Sequence, residues 1–99
     1  MVYIKIHLYG GSKVVAMCDE NLIGKVFTED ELKLDLDKHK AFYMGESIED
    51  IEQIRAMVSG AESINAVGEE AVKILSELGF DTENMIRIEK IPHIIVVHI

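Results

Sequence analysis

The last nine residues, Ile91-Pro92-His93-Ile94-Ile95-Val96-Val97-His98-Ile99, constrain the fold more than any other stretch. They form a β-branched run entered through the only proline in the chain. A continuous apolar run of this kind reads as a strand covered on both faces, so it is expected near the middle of a sheet. Proline fixes φ and lacks a donor, which suits the start of a strand. The Ile91-Pro92-His93 entry also brings one titratable side chain close to the expected core. A cis bond before Pro92 is open at this level.

The remaining chain supplies partners for that strand. Val2 to Tyr9 alternates: Val2, Ile4, Ile6 and Leu8 on one side, Tyr3, Lys5, His7 and Tyr9 on the other. Gly10-Gly11-Ser12 and the apolar Lys13–Cys18 segment complete a β-hairpin. Asp19 is placed to cap one helical turn ending at Gly24. Val26-Phe27-Thr28 is a short strand, Glu29-Asp30-Glu31 a turn, and the alternating segment 32–37 an edge strand. Residues 38–45 form a loop carrying Phe42 and Tyr43.

Two helices follow. The first is expected from Ser47 as N-cap to Ser59, with Ile48, Ile51, Ile54, Met57 and Val58 on its apolar stripe. The second starts after Asn65 as N-cap and stops at Gly79, burying Val67, Ala71, Ile74, Leu75 and Leu78. Segment 85–89 is a further strand, and the Pro92 strand closes the order. Strands and helices segregate, which predicts one α+β domain over residues 1–99. Its mixed sheet would carry two helices on one face, with the final strand central and beside the N-terminal one.

Composition bounds the function. With 48% hydrophobic residues the chain packs a core rather than staying disordered. No apolar stretch is long enough for a transmembrane helix, and no secretory signal is read. The single cysteine, Cys18, allows no internal disulfide, so a reducing cytoplasm is expected. A net charge of −8 repels phosphate backbones and disfavours direct nucleic-acid binding. The tightest basic group, Lys38-His39-Lys40, reads as a solvated loop. The four histidines lack metal-ligand spacing, so neither a metal nor another cofactor is expected.

Several features occur in an order that resembles an archaeal family known as domain of unknown function 424. They are Cys18-Asp19-Glu20 with Leu22 and Gly24, the Phe42-Tyr43-x-Gly45 loop, Asn65-x-x-Gly68-Glu69-x-Ala71-Val72, and Pro92-His93. The resemblance spans nearly the whole chain. It departs at Ile94, where a small residue is expected. It implies a small cytoplasmic archaeal domain and supplies no catalytic residues.

Two functional readings emerge. The first is a protein-binding or assembly module whose surface joins Phe42, Tyr43, Asn65, Gly68 and His93, with aromatic side chains as contact anchors. A basic protein partner suits the acidic chain, and a translation-associated assembly is one setting for it. The second is a small-molecule or enzymatic site of Cys18, Asp19 and His93, with a thiolate nucleophile and an imidazole oriented by the carboxylate. Against it, Cys18 shares a face with Val14 and Ala16 and reads as a small buried hydrophobe. Gly68 serves either close approach of an anion to a helix start or tight packing, and the adjacent Glu69 and Glu70 favour packing. A homodimer interface through Phe42 and Tyr43 is a further expectation.

Overall fold

A computed structural model describes residues 1–97; His98 and Ile99, the end of the C-terminal run, lie outside the described residues. The described residues fold as α+β, with eight strands and three helices. β1 (Val2–Tyr9) and β2 (Ser12–Asp19) form the N-terminal hairpin, as its alternation and Gly-Gly loop predict. A 3-10 turn (Glu20–Leu22) leads to a second hairpin, β3 (Val26–Glu29) and β4 (Leu32–Asp35). Then come α1 (Lys40–Tyr43), β5 (Glu46–Ile48), α2 (Ile51–Val58), β6 (Ser63–Val67), α3 (Glu69–Glu77), β7 (Ile86–Ile88) and β8 (Ile91–Val97).

Six strands make a mixed sheet in the order β5-β1-β2-β6-β8-β7, and β3-β4 is a separate two-stranded sheet. The β2–β6 pair is parallel; the other pairs are antiparallel. β8 is interior, between β6 and β7, but not beside β1, from which β2 and β6 separate it. The cause is β6, which the apolar pattern hides: Ser63-Ile64-Asn65-Ala66-Val67 joins a helical stripe too smoothly to stand out. Asn65 therefore lies within a strand rather than at a helix N-cap, and Val67 belongs to the sheet. Strands and helices also alternate locally, since α2 lies between β5 and β6.

The first long helix likewise starts later than its sequence predicts. Glu46–Ile48 pairs with Val2–Ile4 as a strand, and Asp50 rather than Ser47 caps α2 by accepting from the Glu52 amide at 3.0 Å. Both segments offer a capping side chain; the open edge of β1 selects the extended form for the earlier one.

The sheet is covered on both sides. On one, α2 and α3 pack Ile54, Val58, Ala71, Val72 and Leu75 over Val2, Ile4, Val15, Met17, Ile64, Ala66 and Ile94. On the other, Leu22, Leu34, Leu36 and Tyr43 cover Ala16, Cys18, Val67 and Ile88. The β3–β4 unit is thus a lid on the second face. It is short, however, and β8 is covered on both faces only near its start. Ile95 and Val97 face the second side and are 56% and 63% exposed.

Candidate functional site

The second face of the sheet gathers most of the expected surface residues. Antiparallel and parallel pairing align Tyr3, Cys18, Val67, His93 and Ile86 in one row, and Lys5, Ala16, Asn65 and Ile95 in the next. Paired residues point to the same side of a sheet. α1 lies across these rows. It is anchored to β1 by the Lys5 ammonium, which donates to the Ala41 carbonyl at 2.7 Å, and by His7 Nε2, which donates to the Phe42 carbonyl at 2.8 Å.

This anchoring places Tyr43 over β6. Its hydroxyl donates to Asn65 Oδ1 at 2.8 Å, and His93 Nε2 donates to the same oxygen at 2.9 Å. An amide oxygen only accepts, so His93 carries its proton on Nε2. Burial pushes the His93 imidazole below its ordinary range, which keeps it neutral near pH 7. Tyr43 is buried, and the same burial pushes its phenol well above its ordinary value. Tyr43 is therefore the hub of an internal network and not an exposed anchor.

Phe42 takes the outward role. It is half-buried, stacks on the His7 ring with centroids 4.6 Å apart, and meets Tyr43 edge-on at 5.0 Å. His7 in turn stacks on Tyr9 at 6.0 Å, and Tyr9 is exposed. An aromatic ladder, Tyr9–His7–Phe42–Tyr43, thus crosses the open part of the face and ends in the Asn65–His93 pair. No periodicity in the sequence signals this ladder, because it joins β1 to α1, more than thirty residues away. A shallow hollow of about 240 Å³, lined by Asn84, Ile86, His93, Ile94 and Ile95, adjoins it.

Cys18, Asp19 and His93 do not converge. Cys18 and His93 share a row but flank Val67, which puts them two strand spacings apart, roughly 9–10 Å. The thiol is buried and donates to the Asp19 carbonyl at 3.4 Å, and burial pushes its pKa up to about 12. Asp19 is the next residue along the strand, so its side chain points to the opposite face. There it caps α3: Oδ2 accepts from the Glu70 amide at 3.1 Å and Oδ1 from the Ala71 amide at 2.8 Å. Burial pushes the Asp19 carboxyl above its ordinary value, although these two amides pull the other way. The expectation that Asp19 caps the turn beside it is corrected, since its side chain makes no bond to the 3-10 turn.

Gly68 explains itself at the same point. Its φ is +108° and a Cβ there would overlap the Asp19 carboxylate. The helix start is thus already occupied by an internal carboxylate, which is the packing use of Gly68 and not the anion-binding one. The departure at Ile94 is harmless to His93, because Ile94 points into the helix-side core. The Ile91–Pro92 bond is trans. His7 and His93 lie on strands that are not neighbours, and the described residues contain no group of three or more metal-ligating side chains. No helix is long and apolar enough to cross a membrane among the described residues.

A burial of this kind sets the expected chemistry of Cys18. In the native protein an alkylating reagent at pH 7.5 should leave it unmodified over hours, and unfolding in denaturant should release modification within minutes. Mass spectrometry reads both. Rapid native modification would contradict a buried, protonated thiol.

Comparison with known proteins agrees with the fold. The model of a family described as protein of unknown function (DUF424) matches residues 7–99. The chain belongs to this DUF424 family. A solved structure, that of an uncharacterized conserved protein from Methanopyrus kandleri, is similar at 30% identity and a TM-score of 0.80, covering 96% of this chain and 89% of that one. No curated protein matches.

Proposed function

We propose that this DUF424 chain is a protein-binding module that works in the cytoplasm. Its contact surface is the uncovered part of the second sheet face. The observation that carries the reading is the open end of that face: exposed Ile95 and Val97 on β8 share it with the Phe42–His7–Tyr9 ladder at β1, with β2 and β6 between them. Large apolar side chains gathered on one rigid sheet face and backed by a fixed polar network have the anatomy of a contact surface. Asn65 and His93 supply hydrogen-bonding groups at its border, and Tyr43 holds them in place.

The charge of −8 favours a basic partner and speeds its encounter. In an RNA–protein assembly such as the translation apparatus, the contact would be made through a protein component. The Cys18, Asp19 and His93 reading receives no support from geometry, since the three side chains occupy separate environments.

The test is retention of proteins from the native extract on the tagged full chain, compared with Phe42→Ala and Ile95→Lys variants of unchanged thermal stability. A stoichiometric basic protein should be retained by the parent chain, lost by about tenfold or more in the variants, and released as salt rises. A partner retained equally by all three would remove this face from the interface.

A further inference from the structure

The outer edge of β1 is only partly used. β5 pairs with Val2, Tyr3 and Ile4 and goes no further. Beyond Ile4, the outward backbone groups of Lys5–Tyr9 meet no strand and no other main-chain partner among the described residues. Such an edge is a template for a further strand, and proteins ordinarily blunt it with charge, proline or a bulge. Here the charge is confined to Lys5, where Gly45 and α1 also approach, and Ile6, Leu8 and Tyr9 beyond it carry no such defence. The β1–β2 register runs without a bulge from Val2↔Asp19 to Tyr9↔Ser12. The segment contains no proline, and its single ammonium, on Lys5, is turned onto the Ala41 carbonyl. Ile6 is 39%, Leu8 73% and Tyr9 58% exposed.

From these observations we propose that the Lys5–Tyr9 edge pairs antiparallel with the same edge of a second copy of this chain, forming a twofold dimer with a continuous sheet. A twofold contact must be self-complementary. Centred on His7, the antiparallel register sets Ile6 against the partner's Leu8 and Lys5 against the partner's Tyr9. The first is an apolar cross-strand pair; the second lays the aliphatic stem of Lys5, its ammonium held on the Ala41 carbonyl, beside an aromatic ring.

Charge distribution selects a second copy at this edge. All 18 acidic residues lie at Asp19 or later, and none occurs in residues 1–18. The hairpin is therefore the part of an acidic chain that two copies can bring together with least repulsion. This contact uses the strand edge and leaves Ile95 and Val97, on β8, uncovered, so it does not rest on the protein-binding reading.

Sedimentation velocity of the full chain over a hundredfold concentration range tests the proposal. The expected result is a concentration-dependent shift from 11.1 kDa to twice that mass. It should weaken at least tenfold in Leu8→Lys and in Ile6→Lys, and should be unchanged in Ile95→Lys. Hydrogen exchange of the parent chain gives a second readout that no variant can confound: amides within residues 5–9 should gain protection as concentration rises. A monomer throughout the range would overturn the proposal. So would a dimer indifferent to Leu8→Lys and Ile6→Lys, or residue 5–9 amides protected only by a different protein.

Discussion

Replacing Gly68 by alanine is expected to cost about 3–5 kcal/mol of folding stability, a large share of what a domain of this size holds. Two effects combine. The backbone at Gly68, φ +108° and ψ 156°, lies in a region that only glycine occupies without strain. The added Cβ would also displace the Asp19 carboxylate from the amides of Glu70 and Ala71. The second effect makes the prediction specific. Asp19→Ala alone should cost about 2–3 kcal/mol, because it strips a charged acceptor from the first turn of α3. In Gly68→Ala/Asp19→Ala the overlap is gone, so the two losses should fall short of their sum by about 1 kcal/mol or more. Urea midpoints of the four proteins measure the cycle. Strict additivity would mean that Gly68 and Asp19 do not share a contact.

The second large effect belongs to Asn65. Its Oδ1 accepts from both Tyr43 and His93, so Asn65→Leu leaves two donors without an acceptor. Tyr43 is buried and His93 partly so, and an unmet buried donor costs about 1–3 kcal/mol. A total loss of about 2–4 kcal/mol is expected by chemical denaturation. Adding Tyr43→Phe to Asn65→Leu should recover part of it, since the phenyl ring keeps the packing and removes one stranded donor. If the double variant is no more stable than Asn65→Leu, the hydroxyl is not held by Asn65. The network also explains how a covered aromatic contributes to the proposed surface: Tyr43 fixes α1, and α1 presents Phe42.

Much of the site was legible one residue at a time. Phe42, Asn65, Gly68 and His93 stand out as residue types in unusual positions, and three of the expected surface residues, Tyr43, Asn65 and His93, meet in one network. Their roles were not legible. Asn65 and Asp19 are both good helix caps by chemistry, but a cap needs only a nearby helix start, not a sequence neighbour. Asp19 accepts from helix amides 51 and 52 residues away, while Asn65, four residues before that helix, faces the other side of a strand. The Cys18–Asp19 step shows the same limit more sharply. Adjacent residues on a strand point apart, so a catalytic pairing inferred from adjacency fails as soon as both residues are extended.

The order of the sheet was hidden for a related reason. Short strands such as β5 and β6 carry too few residues to show a period of two against a flanking helical stripe. They become strands because an existing edge has unpaired backbone groups that must be met. Local pattern by itself determined the N-terminal hairpin, the end of α3 at Gly79, the strand entered through Pro92 and the α+β class, because each depends on turn chemistry or on a long apolar run. Only the tertiary structure decided which strands are neighbours, which face each side chain takes and which apolar residues stay uncovered. Those depend on pairing between distant segments, and pairing energy has no signature in the spacing of either partner alone.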